Sequence, residues 1–261
     1  QQGHPNAQYN LGLLYLNASS PNYAAAKELF EMAAEKKMTA AMMTLGFMYL
    51  EGNGVDKDTA KALTLFEDAS ALGNSSASYY LGIIYYFGEE VPLDYAKALQ
   101  YHAKVAEQGD PNGFYNLALQ YYHGLGTEKD RKQAFELYLK AAELGVVEAW
   151  HTLAFMYTDG TEVEQDYETA ARYYLKAAEA GNAHAQNAIG HFYEQGLGIP
   201  QDYAKAFEWF SKGAAQNNPY AMCGVAGLYE KGFGIELDYE AAFALYAKAF
   251  AKAKADLAQI K

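Results

Sequence analysis

Six histidines, one cysteine and thirty-two carboxylates are the side chains in this chain that could do chemistry. Imidazole and carboxylate together suit zinc, so His123, His151, His184 and His191, with Asp159 and Glu194, are the first candidates. No two histidines stand at the i, i+4 spacing that sets two imidazoles side by side on a helix,. Ligands from separate helix pairs, about 10 Å apart, seldom converge. A nucleophile needs a neighbouring base and a third group to orient it. Cys223 has no such partner local in sequence and reads as a buried structural thiol,. The pair Glu89-Glu90 occupies a loop position not kept elsewhere and reads as solvated charge. Gly52-Asn53-Gly54, Gly124-Leu125-Gly126, Gly196-Leu197-Gly198 and Gly232-Phe233-Gly234 would suit a nucleotide phosphate only after a strand and at the start of a helix,. Here a helix precedes each copy. The expectation is therefore a chain that is not an enzyme and uses no metal or cofactor.

The same motifs reveal the elements that carry them. Tyr49, Tyr85, Tyr121, Tyr157, Tyr193 and Tyr229 recur every 36 residues, and Gly52, Gly88, Gly124, Gly160, Gly196 and Gly232 follow in step. Asp58 and Ala62 begin two more such series. A first copy with Gly12, Tyr15 and Tyr23 fits if its loop is two residues shorter. Repetition at this period means a solenoid of stacked supersecondary units. Each unit reads as two helices. Ala41, Leu45 and Tyr49 make one apolar stripe on helix A, and Ala62, Phe66 and Ala69 do so on helix B,. The residue after the Leu is always small (Gly46, Gly82, Ala118, Ala154, Gly190, Ala226), allowing close approach of the partner helix. Gly73, Gly109, Gly145 and Gly181 close successive units, with Asn217 where another Gly is expected,. The loops with Glu90 and Glu162 in place of the second Gly are expected to take a different path. His102 replaces an aromatic of helix B and reads as a core residue. The units span about 4–37, 38–73, 74–109, 110–145, 146–181, 182–217 and 218–253 of one array covering 1–261, with 254–261 as a polar C-terminal helical cap,. Gln1-Gln2-Gly3 matches the end of a unit, so further repeats are expected before it.

Leu-Gly-x-x-Tyr, Gly-x-Gly-Val/Ile, Asp-Tyr-x-Lys-Ala and Lys-Ala-Ala-x-x-Gly together resemble the Sel-1-like repeat, a branch of the tetratricopeptide superfamily. Leu117 to Tyr121, Lys140 to Gly145 and Asp202 to Ala206 show it best, and the resemblance covers essentially the whole chain. It implies an all-α fold, a right-handed α-solenoid of seven antiparallel helix pairs whose A helices line the concave face. It also implies a non-catalytic scaffold for protein–protein interaction. Associated roles are complex assembly, bacterial signalling or host contact, and membrane-protein quality control. An extracytoplasmic place, periplasmic or secreted, is favoured by the same resemblance.

The stripe of helix A opposite its core residues is where such a solenoid reads a partner. It gives Met43 and Phe47, then Tyr79, Ile83, Tyr86 and Phe87, then Tyr115, Leu119, Tyr122 and His123. The later units give His151, Phe155 and Asp159, then His191 and Glu194 beside Asn187 and Gln195, and finally Tyr220, Cys223, Gly227, Glu230 and Lys231. Burial between adjacent A helices would account for the aromatic positions, but aromatics also dominate binding hot spots, and the recognition reading is preferred. The expected partner is a protein or peptide with apolar anchors and a basic end. A secreted or periplasmic module for a small ligand or cell-wall fragment is the alternative. The composition is 51% hydrophobic, enough for a folded core, and the net charge of −12 excludes duplex nucleic acid, whose binding needs clustered Lys and Arg,. It disfavours anionic membrane surfaces too, and no run is long and apolar enough for membrane insertion. No signal-peptide pattern opens the sequence.

Overall fold

The computed structural model describes residues 4–259, and among them there are fourteen helices and no strand. The A helices are α1 (Pro5–Leu16), α3 (Thr39–Glu51), α5 (Ser75–Phe87), α7 (Pro111–His123), α9 (Val147–Asp159), α11 (Ala183–Gln195) and α13 (Pro219–Lys231). Each is followed by its B helix: α2 (Tyr23–Ala34), α4 (Thr59–Ala71), α6 (Tyr95–Glu107), α8 (Arg131–Glu143), α10 (Tyr167–Glu179), α12 (Tyr203–Ala215) and α14 (Tyr239–Gln259). The helices group into two compact units, Gln1–Ala134 and Phe135–Lys261, whose boundary lies in α8. Residues 1–3, 260 and 261, and with them the Gln1-Gln2-Gly3 match, lie outside the described residues.

The repeated Asp and Tyr form a clamp that turns each A helix into its B helix. The side chain of Asp58 accepts from the Lys61 N–H and caps α4, and Asp94, Asp130, Asp166, Asp202 and Asp238 do the same in later units,. The backbone N–H of the same Asp donates to the carbonyl of the series Tyr, as from Asp58 to Tyr49 at 2.9 Å and from Asp202 to Tyr193 at 2.9 Å. The Lys of Asp-Tyr-x-Lys then lies over that ring: Lys97 is 4.7 Å from the Tyr85 centroid and Lys205 is 5.2 Å from that of Tyr193,. One four-residue motif thus holds the loop through backbone, cap and ring.

The two loop glycines have different work. The first ends helix A in the left-handed region in the six loops after α3, α5, α7, α9, α11 and α13, with φ from 66° to 77°, whereas α1 ends at Asn17 with φ −95°,. The second packs on the start of the preceding B helix. A Cβ at Gly126 would stand 2.3 Å from the Tyr95 carbonyl oxygen, and one at Gly54 would stand 2.0 Å from the Tyr23 Cβ. Glu90 and Glu162, which replace this glycine, follow B helices that begin with Thr59 and Arg131 instead of Tyr, so glycine and ring are exchanged together. Those two loops leave helix A as the others do. They differ one residue later, where Asn53, Leu125, Leu197 and Phe233 return a backbone bond to the A helix in the Gly-x-Gly loops and Glu89 and Thr161 do not.

In the pairs α1–α2, α3–α4, α5–α6 and α11–α12 the small residue of helix A receives a ring of helix B. A Cβ on Gly12, Gly46, Gly82 or Gly190 would lie 2.4–2.6 Å from Phe30, Phe66, His102 or Phe210. In the first unit Ala41, Leu45, Tyr49, Ala62, Phe66 and Ala69 are buried together, as their spacing requires. In the second, Tyr174, Ile189 and Phe192 form one cluster and Phe210, Val225 and Leu228 another. Asn217 takes the left-handed turn of the missing glycine at φ 61°, and Lys37 does so at φ 60°. On α14 the expected polar outer face is interrupted, because Phe250 and Leu257 are 73% and 66% exposed.

The glycines give a test that separates backbone conformation from close approach. Gly73 (φ 88°) has nothing within 4 Å of an added Cβ, so Gly73→Ala costs about 1 kcal/mol for the left-handed conformation alone,. Gly126→Ala adds a collision with the Tyr95 backbone and costs at least about 1 kcal/mol more, as read from urea-unfolding midpoints.

Candidate functional site

In the first unit the A-helix face is built by α3, α5 and α7. Met43 departs from expectation: it is 8% exposed and belongs to the core, enclosed by its neighbours instead of facing a partner. Phe47 is half-buried, its ring tilted on Phe66 at 5.1 Å and edge-on to Tyr80 at 4.9 Å, and Tyr79 meets Tyr80 at 5.9 Å. Further along, Ile83, Tyr86 and Phe87 of α5 and Asn116 and Leu119 of α7 surround an apolar pocket of about 70 Å³ with the His102 ring among its lining. Tyr86 is set by edge contacts with Phe87 (5.1 Å) and Tyr95 (5.4 Å), and burial raises its hydroxyl pKa,. Phe87 is 58% exposed at the rim. Tyr115 and Leu119 are half-buried, whereas Tyr122 carries the Arg131 guanidinium over its ring at 5.1 Å and meets the exposed His123 edge-on. Asn116, one step beyond Tyr80, lay outside the expected stripe, and no sequence signal marks it.

The second unit has a polar face. His151 is partly buried beside His184 (6.2 Å between rings) and Tyr174 (5.8 Å), Phe155 is 52% exposed, and exposed Asp159 accepts a hydrogen bond from Thr161. These three stand apart from a cleft of about 440 Å³ between α11 and α13. Its lining joins Asn187, His191, Glu194 and Gln195 to Tyr220, Cys223, Glu230 and Lys231, with Tyr246 of α14 closing one side. His191 Nδ1 lies 3.1 Å from Glu194 Oε2, Lys231 Nζ lies 3.4 Å from Glu194 Oε1, and the Tyr246 hydroxyl donates to Glu230 at 3.0 Å. Gly227 leaves the cleft open: an added Cβ there would meet only the Tyr246 hydroxyl at 3.7 Å. Cys223 corrects the sequence reading, for its thiol is exposed in this cleft and not buried. Tyr246 was legible in principle, standing 36 residues after the Phe210 ring of the preceding B helix.

A larger cleft of about 770 Å³ lies on the B-helix side of the first two helix pairs. Its three lysines all have partners. Lys27 pairs with Glu31 at 3.5 Å, Lys57 with Glu90 at 3.0 Å, and Lys61 donates to the Tyr49 hydroxyl at 2.6 Å, which raises the lysine pKa. Among the described residues no three His, Cys, Asp or Glu side chains group as a metal site, and no helix is long and apolar enough to cross a membrane.

Two imidazoles are held below the ordinary histidine value of 6.5: His102 by burial, against a hydrogen bond with Gln120, and His151 by burial and then by His184. Each binds its proton less readily folded than unfolded, so stability falls as pH drops through and below 6.5,. His151→Gln is expected to flatten the slope of unfolding midpoint against pH between about 6.5 and 5. An unchanged slope would place no proton linkage at this residue.

The Sel1 repeat model matches residues 5–38, 39–74, 75–110, 115–146, 151–182, 183–218 and 219–253. A solved protective antigen present in uropathogenic Escherichia coli strains, displaying an SLR fold, is 31% identical with a TM-score of 0.89, over 97% of this chain and 55% of that one. The chain thus spans about half the length of that relative. A Sel1 repeat protein from Oxalobacter formigenes is 32% identical with a TM-score of 0.83, over 99% of this chain and 76% of that one. A comparison with curated proteins gives no match. The repeat fold is commonly a protein-interaction scaffold and generally a non-catalytic one. Seven matched repeats and these two structures show that the chain belongs to the Sel1 repeat family.

Proposed function

We propose that this chain is a non-catalytic interaction module that binds a segment of another protein on its A-helix faces. The observation that carries the reading is the rim of the first unit's pocket, where Phe87 is 58% exposed beside Ile83, Tyr86 and Leu119. An exposed ring at the edge of an apolar recess is the arrangement of an interface anchor. Tyr79, Tyr115, Tyr122 and His123 would extend that surface, as would Phe47, whose ring packs edge-on to Tyr80 of α5. The partner's apolar anchors would dock there. Its basic end would meet Asp159 and Glu194 on the polar face of the second unit, with His151, Phe155 and His191 alongside.

A second reading, a module for a small ligand or cell-wall fragment, is favoured by one feature: the 440 Å³ cleft lies in the size range of small-molecule sites and gathers several polar groups,. Such a ligand would leave the first unit's aromatic rim unused.

Capture of partners from the source organism's lysate, with Phe87→Ser against the native chain, separates the two. Loss of an anchor of this kind weakens a specific complex by at least about tenfold. Phe243→Ser, at a 76% exposed ring on α14, should leave it unchanged. Equal retention by Phe87→Ser and the native chain would sink the A-helix reading.

A further inference from the structure

The pocket of the first unit contains one group that its apolar walls do not explain. His102 is 1% exposed, and its Nδ1 lies 2.7 Å from Gln120 Oε1. Gln120 uses its amide N–H groups as donors to the Tyr95 carbonyl (3.0 Å) and the Leu125 carbonyl (3.3 Å). Its Oε1 is therefore the acceptor, and His102 Nδ1 carries the proton. Burial lowers the pKa of the ring and so favours its neutral form. Nε2 is thereby left as a lone-pair acceptor, buried and without a protein partner. A buried acceptor left without a partner is destabilising.

The rest of the chain shows that this cost is not imposed by the fold. The positions equivalent to His102 and Gln120 in other repeats are Phe30 and Met48, Phe66 and Ile84, Tyr138 and Met156, Tyr174 and Phe192, and Phe210 and Leu228. Five repeats place a ring and an apolar residue there, and one places a buried polar pair. Breaks in a repeated pattern that carry a cost in stability mark functional positions. Gln120 is accounted for by the two carbonyls it ties down, and Nδ1 by Gln120. Nε2 is not. It lies over Gly82, where an added Cβ would stand 2.5 Å away, and the neighbours of Gly82 on the same helix, Ile83 and Tyr86, form the pocket wall.

We infer that this pocket selects a partner side chain with an apolar ring and a neutral hydrogen-bond donor at its tip, a tyrosine hydroxyl, which donates to His102 Nε2. The inference rests on the A-helix face being the binding surface and adds the chemistry of its anchor. The ring enters between Phe87 and Leu119, partly exposed Ile83 turns aside, and the hydroxyl reaches the imidazole. A phenylalanine of the same shape fills the space and leaves the acceptor unpaired. Sites that hydrogen-bond a hydroxyl reject the analogue that lacks it much more strongly than apolar sites distinguish shapes.

The test uses the two side chains as free probes, 4-methylphenol and toluene, titrated into the full chain and followed by the ring nitrogens of His102 and the methyls of Ile83 and Leu119 in NMR spectra. The native chain should favour 4-methylphenol over toluene by about ten times more than does His102→Phe/Gln120→Met. That double variant copies the Phe30 and Met48 pair the chain already uses, and its Phe should rest on Gly82 as Phe30 rests on Gly12. Independently of any variant, the Nε2 resonance should move with 4-methylphenol and not with toluene. Equal preference in native and variant chains, or an unmoved Nε2, would mean that His102 serves only to satisfy Gln120. In that case the tyrosine assignment falls while the Phe87 comparison stands unaffected. If neither probe perturbs Ile83 or Leu119, the pocket admits no side chain and the inference is overturned.

Discussion

Everything in this chain depends on how closely a B helix can approach the A helix before it. The distance is set where a ring of helix B meets the small residue that follows the Leu of helix A. Gly12, Gly46 and Gly190 lie under Phe30, Phe66 and Phe210 with no room for even a methyl group. Where the chain has Ala at this position (Ala118, Ala154, Ala226), the ring position of the same pair is Tyr (Tyr138, Tyr174, Tyr246), and where it has Gly the ring is Phe or His. Close packing of this kind transmits a volume change of one methyl group. The Asp–Tyr clamp, the glycine loops and the exposed stripe of helix A all take their places from that contact.

Much of this was legible because it is periodic. The 36-residue step locates the caps, the turns and the buried stripe, and each has a local cause: an Asp oxygen on a free N–H, a left-handed residue, an i, i+4 apolar row. The face opposite the core was less legible, because side chains there meet the A helix of the next repeat, and sequence spacing within one helix does not say how near that helix comes. Met43 is enclosed and Phe47 half-enclosed for this reason, while Phe87 and Phe155, on the same kind of stripe, stand out. Cys223 was misread because a thiol at a cleft edge has the same local sequence as one in a core. The polar pair of His102 and Gln120 was visible as a departure from the pattern, but its meaning needed the hydrogen bonds, since only these show which imidazole nitrogen is left over.

The two faces differ in what they offer, and the difference is made with few residues on a constant frame. In the first unit, Ile83, Phe87 and Leu119 give shape and apolar area. In the second, the equivalents of Ile83 and Leu119 are His191 and Gly227, and one imidazole and one missing side chain turn an apolar recess into a polar cleft. A mid-helix glycine costs about 1 kcal/mol relative to Ala. Gly227 bears that cost with open space above it, unlike Gly46 or Gly190, whose positions are filled by a ring.

The exchange of Gly for Glu at Glu90 and Glu162, together with Tyr for Thr59 and Arg131, has a bearing on how such an array can be rearranged. The glycine of one repeat and the ring of the repeat before it form a single unit of inheritance that straddles the helix-pair boundary. Duplicating or deleting a helix pair between a Tyr and its Gly would join a ring to a glutamate, or a glutamate's partner to a glycine. Recombination in this array therefore preserves packing only when its breakpoints fall in the loop between the second glycine and the residue that opens the B helix, so that the interchangeable module runs from ring to glycine and is out of phase with the helix pair.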